Sequence, residues 1–306
     1  MMRILYIGKF RKSYATENYV AYAFESLGHK VKKYEIAKST FSGAAWHIQQ
    51  FKPDIVLTAK SSKKHLAKLI PWCNSRNILT ICWQWDLFWG YRSGRLPSQF
   101  RDSKYLFTTD GGHNEKWKEL GIDHKVIRQG IHKPECQLFN IDNPTYDVAF
   151  IGSHNSYRQR KQLFTWLRDT YKEKFLHING CRGISLNRTL ANVKIIVGDS
   201  YNVKNYWSNR IYEMLGRGGF LLHPTTIGLS SEFVSGEHYI EFPRFSRVSP
   251  KRHLDEHLKP IIQKWLDPSQ NEKRQAIKRA SIIKCETEFT YEHRVKELLN
   301  HISISE

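Results

Sequence analysis

Met1-Met2-Arg3-Ile4-Leu5-Tyr6-Ile7-Gly8 opens the chain with an apolar run of strand length that ends on a glycine and leads at once into Lys9, Arg11 and Lys12. From Thr16 to Leu27 the apolar residues Val20, Ala21, Ala23, Phe24 and Leu27 form an i, i+3, i+4, i+7 stripe, and Gly28 stops it. That is the pattern of an amphipathic helix with a glycine cap. His29-Lys30-Val31-Lys32-Lys33-Tyr34 then resumes as a strand. Strand, helix and strand in so short a span predict a βαβ unit with parallel strands and a right-handed crossover.

The alternation continues. Trp46 to Phe51 reads as helix, Asp54 to Thr58 as a strand after Pro53, Lys63 to Ile70 as helix and Ile78 to Trp83 as a buried strand, with further strands at Tyr105 to Thr108 and Lys125 to Ile127. Between Lys133 and Tyr146 the pattern lapses into Pro134, Asn140, Asp142, Asn143 and Pro144, a turn-rich stretch. A second series follows: strand Asp147 to Gly152, helix Arg158 to Tyr171, strands Phe175 to Ile178 and Val193 to Val197, helix Asn209 to Leu215 and strand Phe220 to Leu222. From Lys251 onward Leu254 to Leu266, Asn271 to Thr287 and Glu292 to Ile302 read as amphipathic helices with basic polar faces. The expected fold class is α/β, two Rossmann-like domains facing a cleft, with C-terminal helices. Expected boundaries are 1–135 for the first domain, 136–146 for a linker, 147–285 for the second domain and 286–306 for a C-terminal helix packing back on the first.

With 306 residues, 40% of them apolar, the chain has enough material for two such cores. Its 48 Lys and Arg against 29 Asp and Glu leave +19, which predicts an anionic partner. No stretch approaches the roughly 18–20 apolar residues of a membrane-spanning helix, the mean hydropathy is -0.55, and the first apolar run is too short for a signal peptide. The five cysteines, Cys73, Cys82, Cys136, Cys181 and Cys285, are scattered and never paired as C-x-x-C, so neither a disulfide framework nor a zinc site is expected. A cytoplasmic location is the expectation, including the host cytoplasm for a viral protein.

Ser208-Asn209-Arg210-Ile211-Tyr212-Glu213-Met214-Leu215-Gly216-Arg217-Gly218-Gly219-Phe220 places a Glu inside a short helix, then a glycine turn, then an apolar strand. A carboxylate so placed suits vicinal hydroxyls such as those of a ribose. The segment resembles the R-x-x-E-x-L-x-x-G-G signature of group 1 type GT-B glycosyltransferases, closest to the branch of spore-maturation glycosyltransferase-like proteins. Asp147 to Ser153 followed by Arg158 resembles that family's first donor-domain strand and phosphate-side loop, and Asn192 to Gly198 its next landmark. Gly228-Leu229, Glu232-Phe233 and Gly236-Glu237 are similar to its G-L-x-x-x-F-x-x-G-x-E loop, and Phe289 to Arg294 to its T-Y-x-x-R segment. These ordered landmarks span roughly residues 147 to 300; the N-terminal half matches only in pattern.

The resemblance implies a nucleotide-sugar co-substrate bound by the second domain, an acceptor held by the first, and no bound cofactor. Glu213 is implied to hold the donor ribose. Arg210, Arg158 and Lys161, with Gly8, Gly152 and Gly218, are implied on the donor side, the arginines facing a diphosphate whose charge grows as the nucleotide leaves. Retaining members of the wider group often carry an acid eight positions before the ribose Glu; here that position is Asn205. No D-x-D type pair lies near a glycine loop, so no essential metal is expected.

On the acceptor side, Trp83-Gln84-Trp85-Asp86-Leu87-Phe88-Trp89-Gly90-Tyr91 crowds aromatics around one carboxylate at a strand end. Aromatic faces suit sugars or bases, and Asp86 suits a general base; the same residues also read as core tryptophans beside a capping Asp. Thr108-Thr109-Asp110-Gly111-Gly112-His113 repeats the arrangement, making Asp110 and His113 candidates too. Basic residues Lys9, Arg11, Lys12, Lys60, Lys63, Lys64, Lys68, Arg92, Arg95, Arg101 and Lys104 populate this half. With Trp83, Trp85 and Trp89 as stacking faces, they point to a polyanion, most concretely DNA carrying hydroxymethylated bases, as in virus-type DNA glycosyltransferases. The alternatives are a glycosyltransferase of surface polysaccharide assembly seated on anionic lipid, and a non-catalytic nucleic-acid-binding protein on the same scaffold. No obligate protein partner is implied.

Overall fold

Parallel strands covered on both faces must be apolar along most of their length, and the computed structural model buries the opening strand from Ile4 to Gly8 and the segment Ile55–Ala59 throughout. The structure describes residues 1–59, 63–89, 96–244 and 249–305; Lys60, Gly90, Tyr91, Arg92 and Arg95 lie outside the described residues. The chain divides into two compact units, Met1–Gln129 together with the chain from Tyr291 on, and Gly130–Thr290.

The first unit contains β1 (Arg3–Gly8), α1 (Thr16–Ser26), β2 (Lys30–Glu35), α2 (Phe41–Phe51), β3 (Ile55–Ala59), α3 (Leu66–Asn74) and β4 (Leu79–Gln84). After them come α4 (Gln99–Asp102), β5 (Tyr105–Thr108), α5 (Asn114–Glu119) and β6 (Lys125–Val126). The strands lie in the order β2-β1-β3-β4-β5-β6, every pair parallel. Helix α2 begins five residues before its apolar pattern, because the Thr40 side chain accepts a hydrogen bond from the Gly43 N–H at 3.1 Å and caps an earlier turn.

The second unit contains β7 (Tyr146–Ile151), α6 (Arg158–Tyr171), β8 (Phe175–Ile178), α7 (Ile184–Ala191), β9 (Val193–Val197), α8 (Arg210–Gly216), β10 (Leu221–Pro224) and β11 (Ile240–Phe242). Helices α9 (Pro250–His253), α10 (Lys259–Leu266) and α11 (Asn271–Glu288) complete it, a π-helical turn at Leu254–Leu258 joining the first two. Its sheet, β11-β10-β9-β7-β8, is also fully parallel. The α/β class with Rossmann-like units read from the sequence is therefore the observed one. In each sheet the strand order reverses direction once, beside β1 and beside β7, and ligands of such sheets sit at the carboxyl ends of the strands flanking that switch.

The last helix, α12 (Tyr291–Ser305), belongs to the first unit. Tyr291, Val295, Leu298 and Ile302 are buried in one cluster with Tyr19, Val20, Ala23 and Phe24 of α1. Burying each large apolar side chain contributes about 1.5–3 kcal/mol, so this stripe fixes the helix to its unit. Among the described residues no helix is long and apolar enough to cross a membrane.

Candidate active site

At the carboxyl ends of β7 and β9 the second unit gathers a charge cluster. Arg160, in the first turn of α6, is 1% exposed. Its Nη1 donates to the Asp199 carboxylate, its Nε to the Ser153 carbonyl and its Nη2 to the Ile151 carbonyl at 2.9 Å. The Tyr157 hydroxyl donates to the other Asp199 oxygen. Arg210, at the start of α8, is half-buried and more loosely held: its Nη1 lies 3.5 Å from Asp199 and 3.4 Å from the Ile151 carbonyl, its Nε 3.4 Å from Ser208. Burial by itself would raise the Asp199 carboxyl, but Arg210 and Arg160, with the hydrogen bonds from Tyr157 and Arg160, outweigh it and hold the group below its usual range. Burial pushes Tyr157 up, with Asp199 adding to it. Two guanidinium groups against one carboxylate leave one positive charge over, and Arg210 carries it to the surface.

Gly152 ends β7 with φ +90, a region that favours glycine. A Cβ there would stand 3.4 Å from Arg160 Nη2 and 3.5 Å from Arg210 Nη1, so the bare backbone keeps open the approach to both guanidinium groups. A small cavity of 70 Å³ beside the cluster is lined by Tyr157, Arg160, Asp199, Ser200, Pro224 and Arg244, among others. Next to it His223 is buried, and burial together with Arg244 pushes its imidazole down to about 4; its Nδ1–H donates to the Pro224 carbonyl at 3.0 Å. It is neutral at pH 7 and adds no charge to this end.

Glu213 stands one turn along α8 from Arg210. Fully buried Arg217 donates to its Oε2 from Nε at 2.9 Å, and its Nη2 lies 2.7 Å from the same oxygen as an ion pair. The same guanidinium bonds Glu135, the Gly183 carbonyl at 3.0 Å and Asn187 Oδ1 at 2.9 Å. Both contacts fall on Oε2, so Glu213 Oε1 is without a hydrogen-bond partner among the described residues. Helix α8 is braced from behind: Trp207 Nε1 and the Tyr212 hydroxyl both donate to Glu232 of the glycine-leucine loop. Asn205 has left-handed φ 55, and its side-chain oxygen fills the space a Cβ on Gly228 would need.

The remaining donor-side candidates are placed elsewhere. Arg158 and Lys161 are exposed and line a pocket on the outer face of α6 with Trp166, Pro250 and Leu254. Gly218, φ +76, is a buried turn packed against Leu138 and Ile282. In the first unit, Gly8 ends β1, where a Cβ would meet the Glu17 side chain at 2.8 Å. Asp199, Tyr157, Arg217, Glu135 and Asn187 were not singled out by the sequence; the signal for Asp199 was its position directly after the glycine that ends the β9 segment.

The first unit's strand ends differ. Asp110, just past β5 and buried, accepts from the Gly112 N–H at 3.0 Å and from His113 Nδ1 at 2.9 Å. This fixes the neutral imidazole with its proton on Nδ1 and its lone pair on Nε2. Thr109 Oγ1 donates to the Trp85 carbonyl at 3.1 Å, tying the β4 and β5 loops together. Asp86 is partly buried, and its carbonyl accepts from Gln84 Nε2 at 3.0 Å. Trp83 and Trp85 are 0% and 5% exposed. Trp83 Nε1 donates to the Ile127 carbonyl at 3.0 Å and both rings belong to the core, so of their two readings the structural one describes this conformation. Trp89 is partly buried against Phe88 and Trp117. Lys9, Arg11 and Lys12 are exposed on the loop after β1, which Asn18 Nδ2 holds through the carbonyls of Phe10 and Lys12 at 3.0 and 2.9 Å. Among the described residues no group of His, Cys, Asp and Glu is arranged to hold a metal ion.

Residues 138–300 match the model of a family described as glycosyl transferase-like. Among curated protein sequences none matches this chain. Solved structures are similar over nearly the whole length. A glycosyltransferase from Rickettsia africae ESF-5 has TM-score 0.66 at 12% identity, over 98% of this chain and 97% of that one. Anabaena HepE in complex with UDP and glucose has TM-score 0.65 at 10% identity, over 99% and 100%. The lipopolysaccharide outer core galactosyltransferase WaaB has TM-score 0.56 at 10% identity, over 98% and 99%. At such identities the likeness shows the fold, and the fold is GT-B.

Proposed function

The chain belongs to the glycosyl transferase-like family that its residues 138–300 match, and from that premise we propose that it moves a sugar from a nucleoside-diphosphate sugar to a hydroxyl of a polyanionic acceptor. The observation that carries this reading is the pairing, on one short helix, of Arg210 with a surplus positive charge and Glu213 with an open oxygen. Arg210 faces the diphosphate, with the Gly152 backbone leaving room for it. As the glycosidic bond breaks, negative charge accumulates on the departing nucleotide, and a cation already in place stabilises it without reorganisation. Glu213 Oε1 accepts from a ribose hydroxyl. Arg158 and Lys161, which line the outer pocket of α6, are not assigned to the diphosphate. HepE, solved with UDP and glucose, supports a donor of this class, and the ordered motifs support the spore-maturation branch.

For the acceptor, His113 Nε2 takes the hydroxyl proton, with Asp110 holding the ring. Lys9, Arg11 and Lys12 supply charge for a polyanion, and DNA carrying hydroxylated bases is the acceptor we propose first. The burial of Trp83 and Trp85 favours a second reading, because it withdraws the stacking platform and leaves charge as the argument. A phosphorylated or uronic surface glycan meets that charge as well, and the likeness to WaaB, a lipopolysaccharide outer core galactosyltransferase, supports it.

Thermal-shift measurements against a panel of nucleotide sugars come first, since a ligand at 100 times its Kd stabilises the fold by about 2.7 kcal/mol. Transfer from the best donor is then followed onto duplex DNA with hydroxymethylated bases and onto anionic core oligosaccharide. Glu213→Gln is expected to weaken donor binding and to erase the preference for a nucleotide with an intact ribose over its deoxy analogue. If no nucleotide sugar stabilises the protein, or the preference survives in Glu213→Gln, the assignment is lost.

A further inference from the structure

A second cavity, of 550 Å³, lies in the second unit near the opposite ends of its strands. The segment from Asn140 to Pro144, which precedes β7, and Val193, the first residue of β9, line it on one side, and α11 lines it on the other. It therefore stands apart from Gly152 and Asp199, which follow the carboxyl ends of the same strands.

Its lining is cationic. Lys278, in the middle of α11, is 6% exposed and has no hydrogen-bond or ion-pair partner among the described residues. Arg274, one turn earlier, is 7% exposed and donates to neutral groups: the carbonyls of Trp265 and Asp267, and Asn271 Oδ1 at 3.2 Å. Arg279 adds a third positive charge. Lys194 is already neutralised by Asp147 at 2.8 Å, and Asp142 is the one carboxylate in the lining. Gln275 Oε1 is buried there without a partner.

The Asp267 carboxylate, outside the lining, offsets part of the Arg274 charge, but burying the Lys278 ammonium without a counter-charge is costly unless something neutralises it. We propose that this cavity binds an oxyanion-bearing ligand, a phosphate or carboxylate group held by Lys278 and Arg274. The volume exceeds that of a lone oxyanion and accommodates a sugar-sized body attached to it. Burial, with Arg274 adding to it, pushes the Lys278 ammonium down to about 8, the direction expected of a site waiting for negative charge. Nothing here depends on the sugar-transfer reading.

Isothermal titration calorimetry of the full chain with glucose 6-phosphate and with glucuronate tests it. At least one is expected to bind, about tenfold more weakly to Lys278→Met and with unchanged affinity to Arg210→Met. Binding of the phosphate ester alone or of the uronate alone names the source of the oxyanion. Failure of both ligands to bind, equal binding by Lys278→Met, or an equal or larger loss in Arg210→Met overturns the proposal.

Discussion

The strand ends of the two units handle charge in opposite ways. In the second unit Asp199 draws buried Arg160 and, more loosely, half-buried Arg210 into one cluster, and Arg217 is shared between Glu213 and Glu135, so these side chains are held by partners of opposite sign. In the first unit Lys9, Arg11 and Lys12 stand exposed on a loop, and past β5 the buried Asp110 is paired with the His113 ring. A clamped site suits a ligand of constant shape, as the nucleotide part of a donor is. Exposed cations suit a large, variable polyanion, whose phosphates are met by charge rather than by fixed geometry. Substitutions break this contrast differently on each side.

The largest effect is expected at His113. If its Nε2 removes the acceptor proton, His113→Ala lowers kcat by about 10²–10⁴ and leaves the affinity for donor nucleotide unchanged. Asp110→Asn, which takes away the acceptor that fixes the tautomer, follows with a smaller loss. Steady-state turnover and nucleotide titration on the same variants separate the two quantities. Turnover near wild type in His113→Ala removes the ring from the mechanism.

Next comes Asp199, where the contrast predicts a stability effect. Asp199→Asn strands two guanidinium groups, one of them buried, and removing one partner of a buried ion pair costs about 3–5 kcal/mol. The native carboxyl is held below its ordinary value, so its contribution is fully present above the unfolded pKa of about 3.9 and is lost as pH falls through the lower, folded value. Urea unfolding should show a wide gap between wild type and variant at pH 7 that narrows below pH ~4. A gap that stays constant from pH 7 to pH 3 rules out the ionised carboxylate as its source.

These two sites also show what the sequence makes legible. The parallel α/β class was readable because strand and helix periods alternate locally, and the place of Glu213 on a short helix because helix, glycine turn and strand are contiguous. The Asp110–His113 pair spans four residues and was visible as two candidates, although the hydrogen bond between them was not. Asp199 was missed because its meaning depends on β9 meeting the starts of α6 and α8, 39 residues from Arg160 and 11 from Arg210. Helix α7 and strand β11 were missed for a different reason: an eight-residue helix with a mixed face and a three-residue strand are too short for a period to declare itself. The tryptophans mark the converse limit. A dense aromatic strand end is the same string of letters whether the rings face a ligand or the core, and only packing decides.

The smallest expected effect lies in the first-unit loop. Replacing Lys9, Arg11 and Lys12 together by Gln leaves the fold intact, because all three are exposed and the loop is held through the backbone carbonyls of Phe10 and Lys12 rather than through the charged groups. Donor affinity should not change, since the clamped cluster of the second unit is untouched. For a DNA acceptor, each phosphate contact adds about 0.9 to the slope of log affinity against log salt, so losing three contacts flattens it by up to ~2.7. Acceptor KM should rise most at low salt and converge with wild type as salt increases, where screening erases the difference. Fluorescence-anisotropy titrations of hydroxymethylated duplex across a salt series read the slope directly. An unchanged slope would take the exposed loop out of acceptor recognition, and with it the contrast between a clamped donor end and a screened acceptor end.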